Sequence, residues 1–176
     1  MVDSHFIEDQ RLVKKLLANL QPTGNQTGYY AELYVDPVTG QEWEKYEFEY
    51  EDSSTDAVGL RKLPYPSTDK IIEIALFSPH DDEANGAAGL LLELEDDEND
   101  FREKLLNQIE NNIDRISEER YDLVYWRAQL YDSDNKRSIL GKHISKIESD
   151  AAHYKAMSRR AKQLKQKKKT LPPTTE

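Results

Sequence analysis

Apolar and polar residues recur along this chain with two periods. Tyr29 to Val35 and Glu42 to Tyr50 are aromatic and β-branched runs, and in the second the repeat is two, with Tyr46, Phe48 and Tyr50 alternating with Glu47 and Glu49. Between the runs lies Asp36-Pro37-Val38-Thr39-Gly40. Pro37 presets φ for the second position of a turn, and Gly40 supplies a residue that takes φ > 0 at its exit. The pattern predicts one antiparallel β-hairpin near the N-terminus, half-buried, with an anionic outer face. Trp43 has the opposite parity to the tyrosines. Either the strand is covered on both faces near the turn, or a bulge changes the parity.

Elsewhere the helical period dominates. Phe6, Val13, Leu16, Leu17 and Leu20 share one side of a predicted helix over 4–20, which Gln21-Pro22-Thr23-Gly24-Asn25 ends. Glu51 to Pro66 reads as a loop, with a strand at Val58 to Leu63 as the alternative. Ser67 to Phe77 reads as a short, central helix. Ser78 and Pro79 open another that runs to about residue 95, with Ala84, Ala87, Ala88, Leu91 and Leu94 on one stripe. Gly86 and Gly89 thin that helix and predict a neighbouring helix packed close. Asp100 and Glu103 form a capping-box pattern before Phe101, Leu105, Ile109, Ile113 and Ile116. An aromatic segment follows over 118–131, read as helix, with strand as the alternative. From Ser138 a long stripe runs through Ile139, His143, Ile144, Ile147, Ala151, Tyr154, Met157, Ala161 and Leu164.

The fold class expected is α+β, predominantly α: one hairpin packed on a helical bundle that ends in a long C-terminal helix. The helix pairs from 67 to 116 have a HEAT-like flavour by analogy, although no clear period repeats.

Charge refines the picture. The chain of 176 residues has 24 Lys and Arg against 34 Asp and Glu, a formal net charge of −10. Eight of the cations fall within 155–169 and the one acid after residue 154 is Glu176, so residues 1–154 carry a formal −17. The expected organisation is one acidic α+β domain over 1–154, then a basic helix end and disordered tail over 155–176. An acidic body repels nucleic acid and anionic membrane surfaces and attracts basic partners. Cysteine is absent, which excludes disulfides, thiolate zinc sites and thiol nucleophiles. No apolar run is long enough to span a bilayer, and the first residues lack the pattern of a signal peptide. A cytoplasmic protein is expected.

Motifs for catalysis are missing. His80-Asp81-Asp82-Glu83 offers metal-ligating groups, but consecutive helical residues point apart. A helix start explains all four residues without an ion. His143, on the apolar stripe, reads as a packed core histidine. No nucleophile elbow and no phosphate-binding glycine loop occurs. The expectation is no enzyme, no cofactor and no metal. The basic run admits phosphate contacts, but with no aromatic after Tyr154 it reads as an exposed helix end. The hairpin carboxylates Glu42, Glu44, Glu47, Glu49, Glu51 and Asp52 have two readings side by side. One is a solvated strand face that discourages edge pairing. The other is a landing surface for a basic partner, anchored by Trp43 and the tyrosines. The acidic link that holds Asp96, Asp97 and Glu98 is assigned to the same partner-binding set.

Leu33-Tyr34-Val35-Asp36-Pro37-Val38-Thr39-Gly40-Gln41-Glu42-Trp43-Glu44 resembles the LY-x-DP-x-[TD]-G-x-x-WE segment of immunity proteins from bacterial polymorphic toxin systems, in particular the immunity protein 27 family. The matching residues are Leu33, Tyr34, Asp36, Pro37, Gly40, Trp43 and Glu44, and the likeness covers a little over a tenth of the chain. After the second strand the family pattern has a glycine-rich stretch with an acidic, histidine-containing motif, where this chain has Tyr50 to Gly59. The resemblance implies a non-catalytic protein that binds and blocks a cognate toxin, many of which are nucleases with basic active-site surfaces. The alternative from the residues alone is a helical adaptor or scaffold acting through its long C-terminal helix. A carboxylate hydrolase using His80 is the third reading.

Overall fold

In the computed structural model, residues 4–27, 31–49, 56–96 and 100–171 are described. Among them the chain is α+β, with five strands in one antiparallel sheet and six helices. No described helix is long and apolar enough to cross a membrane. The chain divides into two compact units. The first comprises Met1–Ser67 with His80–Gly86, and the second Thr68–Pro79 with Ala87–Glu176.

The first unit is built on the sheet. Strands β1 (Phe6–Ile7), β2 (Gln21–Thr27), β3 (Ala31–Val35), β4 (Glu42–Glu49) and β5 (Asp56–Leu63) lie in the order β1-β5-β4-β3-β2. The two runs around the turn do pair, with Tyr34 opposite Trp43 and Val35 opposite Glu42. They are interior members of a larger sheet and not a lone hairpin. β4 and β5 pair without interruption from Glu42↔Leu63 to Glu49↔Asp56. The parity of Trp43 therefore comes from a strand covered on both faces, with no bulge in it.

One face carries Ile7, Trp43 and Leu60, packed against Val13 and Leu20 and flanked by the partly buried Leu16 and Leu17. Val13, Leu16 and Leu17 belong to helix α1 (Gln10–Leu17), whose N-terminus is capped by the Asp9 carboxylate accepting from the amides of Arg11 and Leu12. Each large side chain buried here stabilises the unit by about 1.5–3 kcal/mol. The other face carries Phe6, Tyr46, Phe48, Gly59 and Arg61, and meets Asn85 and Gly86 of the third helix, α3 (Asp81–Glu93).

Three expectations for this half are corrected. The helix over 4–20 is shorter, because Phe6 and Ile7 pair with Arg61 and Leu60 as an edge strand. The helix stop at Gln21 to Asn25 is itself strand: a polar edge, broken by a register shift between Pro22 and Gln26. The loop expected over 51–66 contains β5, where Arg61 stands at an inward position because its partner, Glu44, is buried with it.

The second unit is helical: α2 (Thr68–Phe77), the later part of α3, α4 (Arg102–Asn111), α5 (Glu118–Arg127) and α6 (Ile144–Thr170). Ile71, Leu90, Leu91, Phe101, Leu105, Leu106, Tyr121, Val124, Tyr154 and Ala161 fill its core. Arg102 is fully buried among them. It pairs with Glu95 at 2.7 Å, donates to the carbonyl of Gln129 at 3.0 Å and lies 4.7 Å from the centroid of the Tyr154 ring. Gln129 takes φ 48°, a left-handed conformation after α5.

Gly89 faces the Arg127 guanidinium, which leaves no room for a Cβ without a shift. Gly86, in the first unit, faces Phe6 and the Tyr46 hydroxyl. The close neighbour expected at Gly86 is thus sheet and not helix.

The basic segment is not an appendage. Tyr154, Ser158, Ala161, Leu164 and Lys168 of α6 are buried, and the Lys168 ammonium donates to the carbonyl of Ile113 at 3.2 Å. Residues up to Thr170 therefore belong to the helical unit, which moves the expected boundary at 154. The start of α6 also differs from expectation. His143 is exposed and accepts from the Ser145 amide as the N-cap, so Ile139, Leu140 and Ile144 stand on the surface and not in a core.

Candidate partner-binding surface

The turn between β3 and β4 is held by its own residues. The Asp36 carboxylate accepts from the amides of Val38 at 2.8 Å and Thr39 at 3.3 Å. The Gly40 amide donates to the Asp36 carbonyl at 2.8 Å, and Gly40 takes φ 74°. The Val38 amide and then the Thr39 hydroxyl hold the Asp36 carboxyl below its ordinary value. Across the strands, Lys45 pairs with Glu32 at 2.9 Å, and the Tyr34 hydroxyl donates to the same carboxylate at 2.9 Å.

Beside this turn an open groove of about 620 Å³ runs along one end of the sheet. Leu16, Leu20, Trp43, Leu63 and Pro64 give it apolar walls, while Asp36, Glu42 and Lys62 bring charge to it. The Lys62 ammonium lies 5.5 Å from the centroid of the Trp43 ring. Glu42 and Glu47 are exposed. Lys62 is the one cation among the lining residues, so the carboxylates are the larger charge there.

The sequence-derived residues separate into three groups. Trp43 and Glu44 are interior, at 5% and 2% exposure. Trp43 is part of the core beneath α1, and Glu44 pairs with Arg61 at 2.8 Å and accepts from the Tyr65 hydroxyl. Glu44 therefore does not stand on the outer face expected for it, because β4 has a neighbour on each side and both faces covered. Glu47 and Asp96 are on the surface. Glu49 lies in β4, but its side chain is outside the described residues, as are Glu51, Asp52, Asp97 and Glu98. The residues that carry the resemblance are thus mainly the ones that build the turn and the core.

Sequence reasoning missed a buried carboxylate. Glu8 is 2% exposed, accepts from the Tyr46 hydroxyl at 2.7 Å and from the Asn85 side-chain amide, and sits on the same sheet face as Glu44 and Arg61. The Arg61 guanidinium lies 4.6 Å from the Tyr46 ring centroid, so the two buried acids belong to one polar layer. Phe6 and Ile7 fit a helical stripe as well as a strand, and that hid the inward position of Glu8. His80 and Asp81 are exposed at the start of α3, and Glu83 accepts from the His5 amide at 2.7 Å. Among the described residues no group of three or more His, Asp or Glu is placed to hold a metal ion.

Compared with protein-family models, with curated proteins and with solved structures, the chain matches none.

Proposed function

We propose that this chain is a non-catalytic acidic binding protein that neutralises a cognate bacterial toxin, acting in the cytoplasm as an immunity protein. The observation that carries the proposal is the groove beside the turn: apolar walls, with Asp36 and Glu42 at its lining. A toxin that grips phosphates presents Lys and Arg around a cleft. The chain's formal −10 steers such a surface inward over a Debye length of about 8–10 Å at ordinary salt. Apolar contact in the groove then supplies the short-range part of the affinity. Trp43 and Glu44 serve this function indirectly, by fixing the strand that presents Glu42 and Glu47.

The resemblance of Leu33 to Glu44 to the immunity protein 27 family supports the same reading. The adaptor alternative draws on α6, but that helix buries Tyr154, Ser158, Ala161 and Leu164 within its own unit, which leaves less of it for a partner helix. Co-expression with the product of the neighbouring reading frame, after that product alone is shown to arrest growth, tests the proposal. Restored growth supports it, and unrelieved growth arrest overturns it.

A further inference from the structure

Helix α5 ends in an aromatic group that the groove does not use. The ring centroids of Trp126 and Tyr131 are 4.9 Å apart, and those of Tyr125 and Trp126 are 5.4 Å apart at 83°. Tyr125 is buried, whereas Trp126 is 45% and Tyr131 37% exposed. Two large aromatic side chains in contact and half in water are costly to hydrate, and such residues anchor protein interfaces more often than others do.

The cluster already shows which chemistry it accepts. The Lys165 ammonium, from α6, lies 4.5 Å from the centroid of Tyr125 and 5.3 Å from that of Trp126, and pairs with Asp122 at 2.9 Å. A cation held between ring faces and a carboxylate is the arrangement by which aromatic side chains attract Lys and Arg. Position and charge extend it outward. Glu119, Asp122 and Trp126 lie at i, i+3 and i+7 of α5 and so share a face. Past Tyr131, Asp132 is paired with Lys136 at 2.5 Å, while Asp134 is exposed. The platform is also fixed: the Ser158 hydroxyl donates to the Tyr131 carbonyl at 2.7 Å, and the Tyr121 hydroxyl donates to the Ala161 carbonyl at 2.6 Å.

We propose that the Trp126–Tyr131 pair is an anchoring site for a guanidinium or ammonium side chain of a basic protein partner, with the exposed Glu119 on the same helix face drawing its charge. The site rests on the reading of the chain as a binder of basic proteins, and it gives the helical unit its own part in that binding. The flat, exposed rings favour Arg over Lys, because a planar guanidinium stacks where an ammonium only approaches.

The test uses the full chain and a nona-arginine peptide, followed by calorimetry at low and moderate salt. Trp126 fluorescence reports the contact directly, since Trp43, at 5% exposure, is the only other tryptophan. The peptide is expected to bind and to change that fluorescence. Trp126→Ala and Tyr131→Ala should each weaken binding by at least about threefold, with Trp126→Phe retaining most of it. Far-UV circular dichroism verifies that each variant is folded, and Tyr131→Ala serves if Trp126→Ala is not. A companion variant, Glu42→Gln with Glu47→Gln, separates the two claims. If it weakens binding while both aromatic variants leave it unchanged, the anchor is overturned and the acidic-binder reading stands. If the aromatic variants weaken binding and the glutamine variant does not, the anchor stands and the groove side of that reading fails. No binding at low salt overturns both.

Discussion

Glu44 and Arg61 pair at 2.8 Å, with their side chains 3% and 6% exposed, across the two central strands of the sheet. Removing one partner leaves the other charge buried, which generally costs about 3–5 kcal/mol. Glu44→Ala should therefore lower unfolding free energy by about that much in urea denaturation. Glu44→Leu combined with Arg61→Met should recover a large part of the loss. A Glu44→Ala protein as stable as wild type would show that the pair is solvated. This residue matches the resemblance segment, so the result also says whether its part there is structural.

Tyr46 and Gly59 stand opposite each other in the same pairing, with the ring across the glycine. A Cβ at residue 59 would lie 2.4 Å from the Tyr46 Cζ. Gly59→Ala should cost about 1–3 kcal/mol by overpacking. Combining it with Tyr46→Leu should cost less than the two changes summed, because the ring is what the methyl meets. Additive losses would place the strain elsewhere.

Asp150 links three cations of the helical unit: Lys146, Lys142 at 3.1 Å and Arg137 at 3.2 Å. The Lys146 hydrogen bond, with that of Lys142, brings its carboxyl down to about 2 against the opposition of burial. The folded value lies below the unfolded value of about 3.9. Its stabilisation is therefore complete above the unfolded value and is lost as pH falls toward about 2. Asp150→Asn should remove this part of the acid slope, so that melting temperature falls less between about pH 4 and pH 2 than in the wild type. Parallel acid curves for the two proteins would contradict the assignment.

Much of the helical half is legible from spacing. Phe101, Leu105, Ile109, Ile113 and Ile116 recur every three or four residues, and all five are buried. The capping box expected at Asp100 and Glu103 is not the cap of α4, whose N-cap is Phe101 with no side-chain bond, although the Asp100 carboxylate accepts from the Arg102 amide at 3.1 Å. The long final helix is present from Ile144. Strands were harder. Asp36 to Gly40 gives its turn away, because proline and glycine have local reasons to be there. β5 does not, because Gly59 and Arg61 occupy inward positions that only Tyr46 and Glu44, far back in the chain, make sense of. β2 is a polar edge whose Pro22, Gly24 and Asn25 read as a helix stop.

The surface chemistry was legible only in part. The count of acids along β4 is plain in the sequence, but the burial of Glu44 and the exposure of Glu42 and Glu47 depend on the neighbouring strands and on the position of α1. The Trp126–Tyr131 contact was hidden for a similar reason. Aromatic residues all round a segment signal burial equally on every side, and only the packing of α6 shows which rings remain in water.

The most direct test of the proposal is the association rate between the purified chain and the product of the neighbouring reading frame, followed by stopped-flow over a range of salt concentrations. Glu42→Gln with Glu47→Gln should slow association by several-fold at low salt and flatten its salt dependence, while dissociation changes little. Identical rates and identical salt slopes for the variant and the wild type would contradict the claim that these carboxylates receive a basic partner.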